Sequence, residues 1–417
     1  MAVSGKAVAV IGAGIVGLAI AHRLVREGAE VVVVDRDPEG DKASFGNAGG
    51  IAVSEVVPAS APGLAWRAPR WLLDPLGPLS IKPSHAPSLA PWLWRFWQAG
   101  RPAAFAGIST ALAALNGRVY EDLLPLLADV GLAGELIRRG ALTVYETERG
   151  FLKDAAEWAL KRSHEIEMET LSGHDARALE PALGEIVHCA VFTPQWSHVS
   201  DPKHLVDGLR NWLENHGVAM LAGNVGNIAA SGGDGATVEL EDGRRIRAAK
   251  VVVAAGAWSG ALARGLGDPV LLESERGYNA TLADPGVDLG REVIFAERKF
   301  VATPLRCGLR IGGAAEFAGL HTPANFERCR ALLKLASRYL PALQTAGGTN
   351  WAGHRPATPD SLPVIGASPR HPNVFYAFGH GHLGLTQAAT TARLIADLIC
   401  GKPPAISLAP YTIARFH

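Results

Sequence analysis

Residues 8–35 limit what this chain can become more than any other stretch. They open on Val8, Ala9, Val10 and Ile11. A short apolar run of this kind reads as a parallel strand buried on both faces. Gly12, Gly14 and Gly17 follow at G-x-G-x-x-G spacing. The first glycine permits a tight turn, the second lets backbone approach a pyrophosphate, and the third lets a helix pack close to the strand. Residues 15–26 read as that helix, whose leading N–H groups face an anion. Residues 31–34, all valine, form the next strand, and Asp35 ends it where a carboxylate accepts from an adenosine ribose. Strand, glycines, helix, strand and acid in this order predict a dinucleotide site on Gly12, Ala13, Gly14, Ile15, Val16, Gly17, Asp35 and Arg36. The competing reading is a glycine turn in some other α/β fold.

The 417 residues suit one large or two medium domains. Hydrophobic residues make up 48% and charged residues 19%, which allows a sizeable core without disulfides. Forty basic residues balance forty acidic ones, so no charge footprint for nucleic acid exists. Cys189, Cys307, Cys329 and Cys400 are scattered without a C-x-x-C pair. A zinc or dithiol site is therefore not expected, and reduced thiols in the cytoplasm fit best. Lys6 before the first apolar run imitates a signal peptide, but the fingerprint glycines interrupt the run and no clean cleavage site follows. No window of about 20 apolar residues suggests a membrane-spanning helix.

Further along, Ser44, Phe45, Gly46, Asn47, Ala48, Gly49, Gly50 and Ile51 make a small, polar loop. It suits backbone laid against a flat ring or a phosphate, or is an ordinary glycine loop. Residues 58–102 combine many prolines with Trp66, Trp71, Trp92, Trp94 and Trp97 and with Arg67, Arg70, Lys82, Arg95 and Arg101. Such a segment, 66–101 above all, sits at a membrane interface or packs as an aromatic cap over a substrate domain; the cap is favoured. Residues 109–130 read as one long helix, and 148–169 as a mixed-charge helix with His164 solvated. Asp201 before Pro202 suits a helix N-cap. Residues 237–240 and 245–248 form a hairpin, 250–253 a further buried strand, and 269–317 alternate as a half-exposed antiparallel sheet does.

Two strings near the end carry a resemblance. One runs Gly353, His354, Arg355, Pro356, Ala357, Thr358, Pro359, Asp360; the other Gly379, His380, Gly381, His382, Leu383, Gly384, Leu385, Thr386. With the fingerprint, the S-x-x-N-A-G loop from Ser44 and the stretch Ala254, Ala255, Gly256, Ala257, Trp258, the chain resembles the D-amino-acid-oxidase superfamily of FAD enzymes. The likeness runs through the whole chain and is strongest to bacterial D-amino acid dehydrogenases and D-hydroxyproline dehydrogenases. It implies an α/β chain (α+β overall), with a Rossmann-type FAD-binding domain and a second, mostly antiparallel β-sheet substrate domain. The first would be assembled from 1–57, 186–268 and 350–417, the second from 58–185 and 269–349. It also implies FAD contacts from Ser44, Asn47, Ala48, Gly49, Gly50, Val225, Ala255, Gly256, Trp258, Gly353, Gly381, His382, Leu383, Gly384, Leu385 and Thr386.

Flavin oxidation of an amino acid needs position more than acid–base machinery, so no catalytic residue beyond the flavin is expected. A carboxylate needs one planar cation, and the resemblance gives Arg355 that role. Tyr278 binds the carboxylate or closes the pocket, or is a packed strand tyrosine. His382 contacts substrate or flavin; a metal site at His380 and His382 lacks a third ligand. Gly353 stands where the sarcosine-oxidase branch carries its flavin-linking cysteine, so non-covalent FAD is expected. The activity implied is oxidation of a D-amino acid or cyclic imino acid, with a quinone or carrier protein taking the electrons. Alternatives are an NAD(P) dehydrogenase, a sarcosine- or glycine-oxidase-like enzyme, and the flavin subunit of a hetero-oligomer. The expected location is cytoplasmic, with peripheral contact at the inner membrane through 66–101.

Overall fold

A computed structural model of the chain describes residues 6–61, 77–230 and 235–417. Val8–Ile11 lies at the centre of a six-stranded sheet, parallel to Val31–Asp35 on one side and Lys250–Val253 on the other. Ala219–Ala222 extends the first side and Val374–Phe378 the second, both parallel, and Val364–Ala367 closes the edge antiparallel. β-Branched residues buried on both faces explain why this sheet tolerates no alternation. The helices Ile15–Arg26 and Gly384–Ile399 cover one face through Leu18, Ile20, Leu24, Leu385, Ala392 and Ile395. A three-stranded sheet, Val225–Ala230, Ala236–Leu240 and Arg245–Ala248, covers the other through Ile228, Val238 and Ile246.

The second large sheet has nine strands and is mostly antiparallel. Its main path runs Thr349–Ala357, Glu273–Leu282, Gly308–Phe317, Phe300–Leu305, Glu292–Phe295, Ala141–Tyr145, Cys189–Thr193 and Glu169–Ser172, with Leu79–Ile81 paired to Gly308–Phe317. Two of these strands, Cys189–Thr193 and Thr349–Ala357, fall in segments that the resemblance gives to the FAD-binding unit. Both instead hydrogen-bond along this sheet. One face packs Tyr278, Ala280 and Leu282 against Cys329, Leu332 and Leu333 around the helix Glu327–Ala336. The opposite face meets the loop 44–51: Asn279 Nδ2 donates to Gly46 O at 2.8 Å, and Arg310 Nη1 donates to Phe45 O and Asn47 O at 3.0 and 2.6 Å. These bonds fix the distance between the two sheets.

The expected 109–130 helix is two, Pro102–Asn116 and Val119–Asp129, broken at Gly117 and Arg118. The expected 148–169 helix is also two, Glu148–Lys153 and Ala155–Ser163. His164 bonds Ser109 Oγ at 3.0 Å and is partly buried rather than standing in solvent. Asp201 caps Pro202–Asn215 as expected, accepting from Lys203 N at 2.9 Å. Among the 58–102 residues, Trp66, Trp71, Arg67 and Arg70 lie outside the described residues. The helix Ala86–Ala99 carries Trp92, Trp94, Arg95 and Trp97, and its Trp92 is buried, donating to Ala357 O at 3.1 Å.

Candidate active site

A cavity of about 1210 Å³ runs from the glycine turn of the parallel sheet to the inner face of the antiparallel sheet. At its first end, Gly12 has φ +115°, and a Cβ there would meet Ala254 O at 2.3 Å. A Cβ on Gly17 would meet Gly12 O at 1.9 Å, so the helix reaches the strand only because both are glycine. Gly14 lines the cavity with only Ser44 Oγ near its Cβ position, which leaves backbone open to a phosphate. The helix Ile15–Arg26 points its N-terminus there, and Ser44 Oγ accepts from Ile15 N at 3.1 Å. Asp35 Oδ2 accepts from Ala13 N at 2.7 Å and Oδ1 from Asp37 N at 2.9 Å, fixing the carboxylate at the strand end. Arg36 lies 3.8 Å over the Trp258 ring. Backbone bared by glycine, a helix N-terminus and an aimed carboxylate fit the pyrophosphate and ribose of a dinucleotide.

Gly12, Gly14, Ile15, Val16, Asp35, Arg36, Ser44, Asn47, Ala48, Gly50, Val225, Ala255, Gly256, Trp258, Gly353, Gly381, His382, Gly384 and Leu385 all line this cavity. Five expected contacts stand behind the wall instead. Ala13 gives its N–H to Asp35; Gly17 abuts Gly12; Gly49 faces Leu305 and Pro202; Leu383 is buried in the core; Thr386 Oγ1 binds Ala52 N and Gly50 O. They shape the wall rather than form it. None of the described residues lining the cavity is a cysteine.

At the other end, Arg355 extends over Gly277, where a Cβ would meet its Nη2 at 2.3 Å. Glycine at 277 is therefore what lets the guanidinium lie flat on the sheet. Arg355 Nη1 donates to Glu275 Oε1 at 2.7 Å and to Ala314 O at 3.0 Å. The side chain is half-buried, and among the described residues the Nε–Nη2 edge carries no such bond. His382 is exposed to the cavity, whereas His380 is buried, bonds Thr391 Oγ1 at 3.0 Å and is pushed down to about 3 by burial. His380 is thus a neutral core residue. Tyr278 borders the cavity, but its hydroxyl donates to Glu316 Oε2 at 2.6 Å and accepts from Asn325 N at 3.1 Å. Strand alternation turns the phenol into the packed face, so the structure holds it as a packed strand tyrosine.

A third group was invisible in the sequence reading. Glu55, Asp154, Glu157, Trp158, Lys161, Glu292 and Lys299 all line the same cavity. Lys161 Nζ donates to Glu55 Oε1 at 2.6 Å. Burial alone would raise the Glu55 carboxyl, but the Lys161 charge and hydrogen bond, with His382 and Lys299 beyond, hold it below its usual value. Glu292 is 3% exposed and takes one hydrogen bond, from Trp196 Nε1 at 2.9 Å. Burial, reinforced by the Glu55 charge and opposed by Trp196, pushes it up to about 8. Burial and the Asp154 charge likewise raise Glu157. A signal did exist: Asp154, Glu157, Trp158 and Lys161 share one helical face at i, i+3, i+4 and i+7.

The family model described as DAO, FAD dependent oxidoreductase, matches residues 7–398. A D-amino-acid oxidase of Bradyrhizobium diazoefficiens is 35% identical, with 99% of each chain covered. D-amino acid dehydrogenase 2 of Ralstonia nicotianae is 34% identical over 98% of this chain and all of the relative. A glycine oxidase from Geobacillus kaustophilus shares the fold, with a TM-score of 0.73, 23% identity and 98% of both chains covered.

Proposed function

The chain belongs to the DAO family of FAD-dependent oxidoreductases, and we propose that this member oxidises a D-amino acid to the imine, which hydrolyses to a 2-oxo acid. The observation that carries the reading is the single cavity joining the dinucleotide turn to the Arg355 face. Bound there, FAD supplies the hydride acceptor. The residues of this chain supply position. The 12–17 turn and the helix behind it hold the pyrophosphate, and Asp35 the ribose. The free Nε–Nη2 edge of Arg355 takes the substrate carboxylate as a fork, while Glu275 and Ala314 O hold its other edge still. His382, exposed on the cavity wall beside Gly381, faces substrate. Gly353 in place of a cysteine, with no cysteine among the described residues of the cavity wall, supports a flavin held non-covalently.

The test is anaerobic bleaching of the bound flavin by matched D- and L-amino acids, with a cyclic imino acid such as D-hydroxyproline among them. The expected result is rapid bleaching by D-enantiomers. Bleaching by L-enantiomers alone, or by none, would sink the assignment.

A further inference from the structure

We propose that Arg310, set back from the cavity, is a positioning residue for the flavin: it turns the loop 44–51 so that the backbone N–H groups of Gly46 and Ala48 open into the cavity and donate to acceptor atoms of the flavin ring. This rests on FAD filling the cavity and not on the identity of the substrate. Arg310 stands on the strand Gly308–Phe317 and is 8% exposed; it is not on the cavity wall, whereas Gly46, Asn47 and Ala48 are. The guanidinium therefore lies behind the loop, with the cavity in front. Its Nη1 donates to Phe45 O at 3.0 Å and Asn47 O at 2.6 Å, and its Nε to Thr281 Oγ1 at 3.0 Å. A trans peptide points its C=O and the following N–H in opposite directions, and no described peptide here is cis. With both carbonyls drawn back onto Arg310, the N–H groups of Gly46 and Ala48 are turned to the front. Neither finds an acceptor among the described residues, although their neighbours do: Phe45 N meets Lys42 O, Asn47 N meets Ser44 O and Gly49 N meets Asn47 Oδ1.

Backbone donors left without a protein partner at a cavity wall take one from the ligand. The course of the loop says which part of FAD supplies it. Ser44 meets the N-terminus of the helix Ile15–Arg26 at the pyrophosphate end, and Gly50 lies against Glu292 of the antiparallel sheet. Gly46 and Ala48 lie between, where the cofactor leaves the pyrophosphate turn for the Arg355 face. The flavin ring, with its carbonyl oxygens and acceptor nitrogens, fills that interval. The antiparallel sheet holds the loop at two further points. Asn279 Nδ2 donates to Gly46 O at 2.8 Å, and a Cβ on Gly46 would meet the Trp351 ring at 2.1 Å. That ring is itself fixed, its Nε1 donating to the Asp41 carboxylate at 2.8 and 3.0 Å. Arg310 has no ion-pair partner among the described residues, and a guanidinium keeps its charge at any working pH. Its charge polarises the peptides that follow Phe45 and Asn47, which strengthens their N–H groups as donors. Donors aimed at the ring favour the electron-rich reduced flavin over the oxidised one.

The experiment compares the FAD-loaded wild type with Arg310→Met, which fills the space without a donor, and Arg310→Lys, which keeps a cation. FAD release on dilution, read from free-flavin fluorescence, should show Kd raised about thirtyfold in Arg310→Met, the worth of two ordinary hydrogen bonds, and largely recovered in Arg310→Lys. The midpoint potential of the flavin that stays bound should fall in Arg310→Met and return toward wild type in Arg310→Lys. A purely structural loss would change how much flavin is bound and not its potential. Wild-type affinity and potential in Arg310→Met, or equal losses in the two variants, overturn the inference. Hydrogen exchange of the wild-type holoenzyme, resolved to single amides, needs no variant to fold: slow exchange at Gly46 and Ala48 is expected, and fast exchange at both overturns the inference by itself. Neither measurement uses an amino acid, so the bleaching test of the D-amino acid reading succeeds or fails separately.

Discussion

Arg355 shows how much one side chain depends on its neighbours. The resemblance points to the arginine by its place before Pro356, but the pieces that aim it are not local: Gly277 clears its path and Glu275 steadies it, and both lie some eighty residues away on the adjoining strand. If the free edge binds a carboxylate, Arg355→Lys should lose most of the substrate affinity, because a point charge cannot replace the fork. Arg355→Ala should cost about 2–5 kcal/mol of binding, the range for breaking a buried charge pair. Flavin content should stay normal in the lysine variant, since the FAD cradle is built at the other end of the cavity. Stopped-flow substrate titration beside a flavin absorbance ratio checks this; flavin lost with substrate binding intact would move Arg355 out of the substrate site. Glu292 and Glu157 were illegible for a different reason. Nothing local marks a lone glutamate as buried, and only the pairing of Glu292–Phe295 with Ala141–Tyr145 brings the strand under the loop 44–51.

At the scale of elements, the parallel strands and their helices were readable because local pattern and tertiary role agree there: a short apolar run, a glycine turn, a helix. The helix pairs were not, because Gly117 and Asp154 break a continuous apolar stripe without a proline to announce it. The helix Ala86–Ala99 is divided in another way. Trp92 is buried over Ala357 and belongs to the cap, whereas Leu93, Trp94 and Trp97 are exposed, the two indoles stacked 5.0 Å apart with Arg101 4.6 Å over Trp97. No described helix is long and apolar enough to cross a membrane. From the exposed indoles and arginines we propose contact of this outer face with an anionic lipid surface, where indoles insert shallowly and Arg95 and Arg101 meet headgroups. This would place the enzyme beside a quinone or carrier acceptor and make it a dehydrogenase. Cosedimentation with anionic vesicles should fall markedly in a Trp94→Ala, Trp97→Ala double variant and at high salt. Equal sedimentation of both proteins would assign these residues to the cap alone.

For the whole molecule, burial of titratable groups sets a pH window. His22, His198 and His380 are each at most 4% exposed, and burial pushes them down to about 4, 4 and 3. Unfolded, each would titrate near 6.5. Below that pH the unfolded chain binds protons that the native rings refuse, so their stabilisation is complete above about 6.5 and is lost as pH falls toward 4. Each contributes a slope of up to about 1.4 kcal/mol per pH unit, and three together consume much of an ordinary folding free energy within two units. Glu292 acts in the opposite sense. Its native carboxyl keeps its proton up to about 8 while the unfolded one releases it near 4.5, so its contribution is full below about 4.5 and lost as pH rises toward 8. The FAD-loaded protein should therefore be most stable near neutrality and unfold steeply below about pH 6. Urea melts from pH 4.5 to 8.5 should show this, with Glu292→Gln steepening the rise between about pH 4.5 and 6.5 by one proton and removing the fall between about 6.5 and 8. A flat profile between pH 7 and 5 would mean that these imidazoles are protonated in the native state, and that their surroundings admit more water than their burial implies.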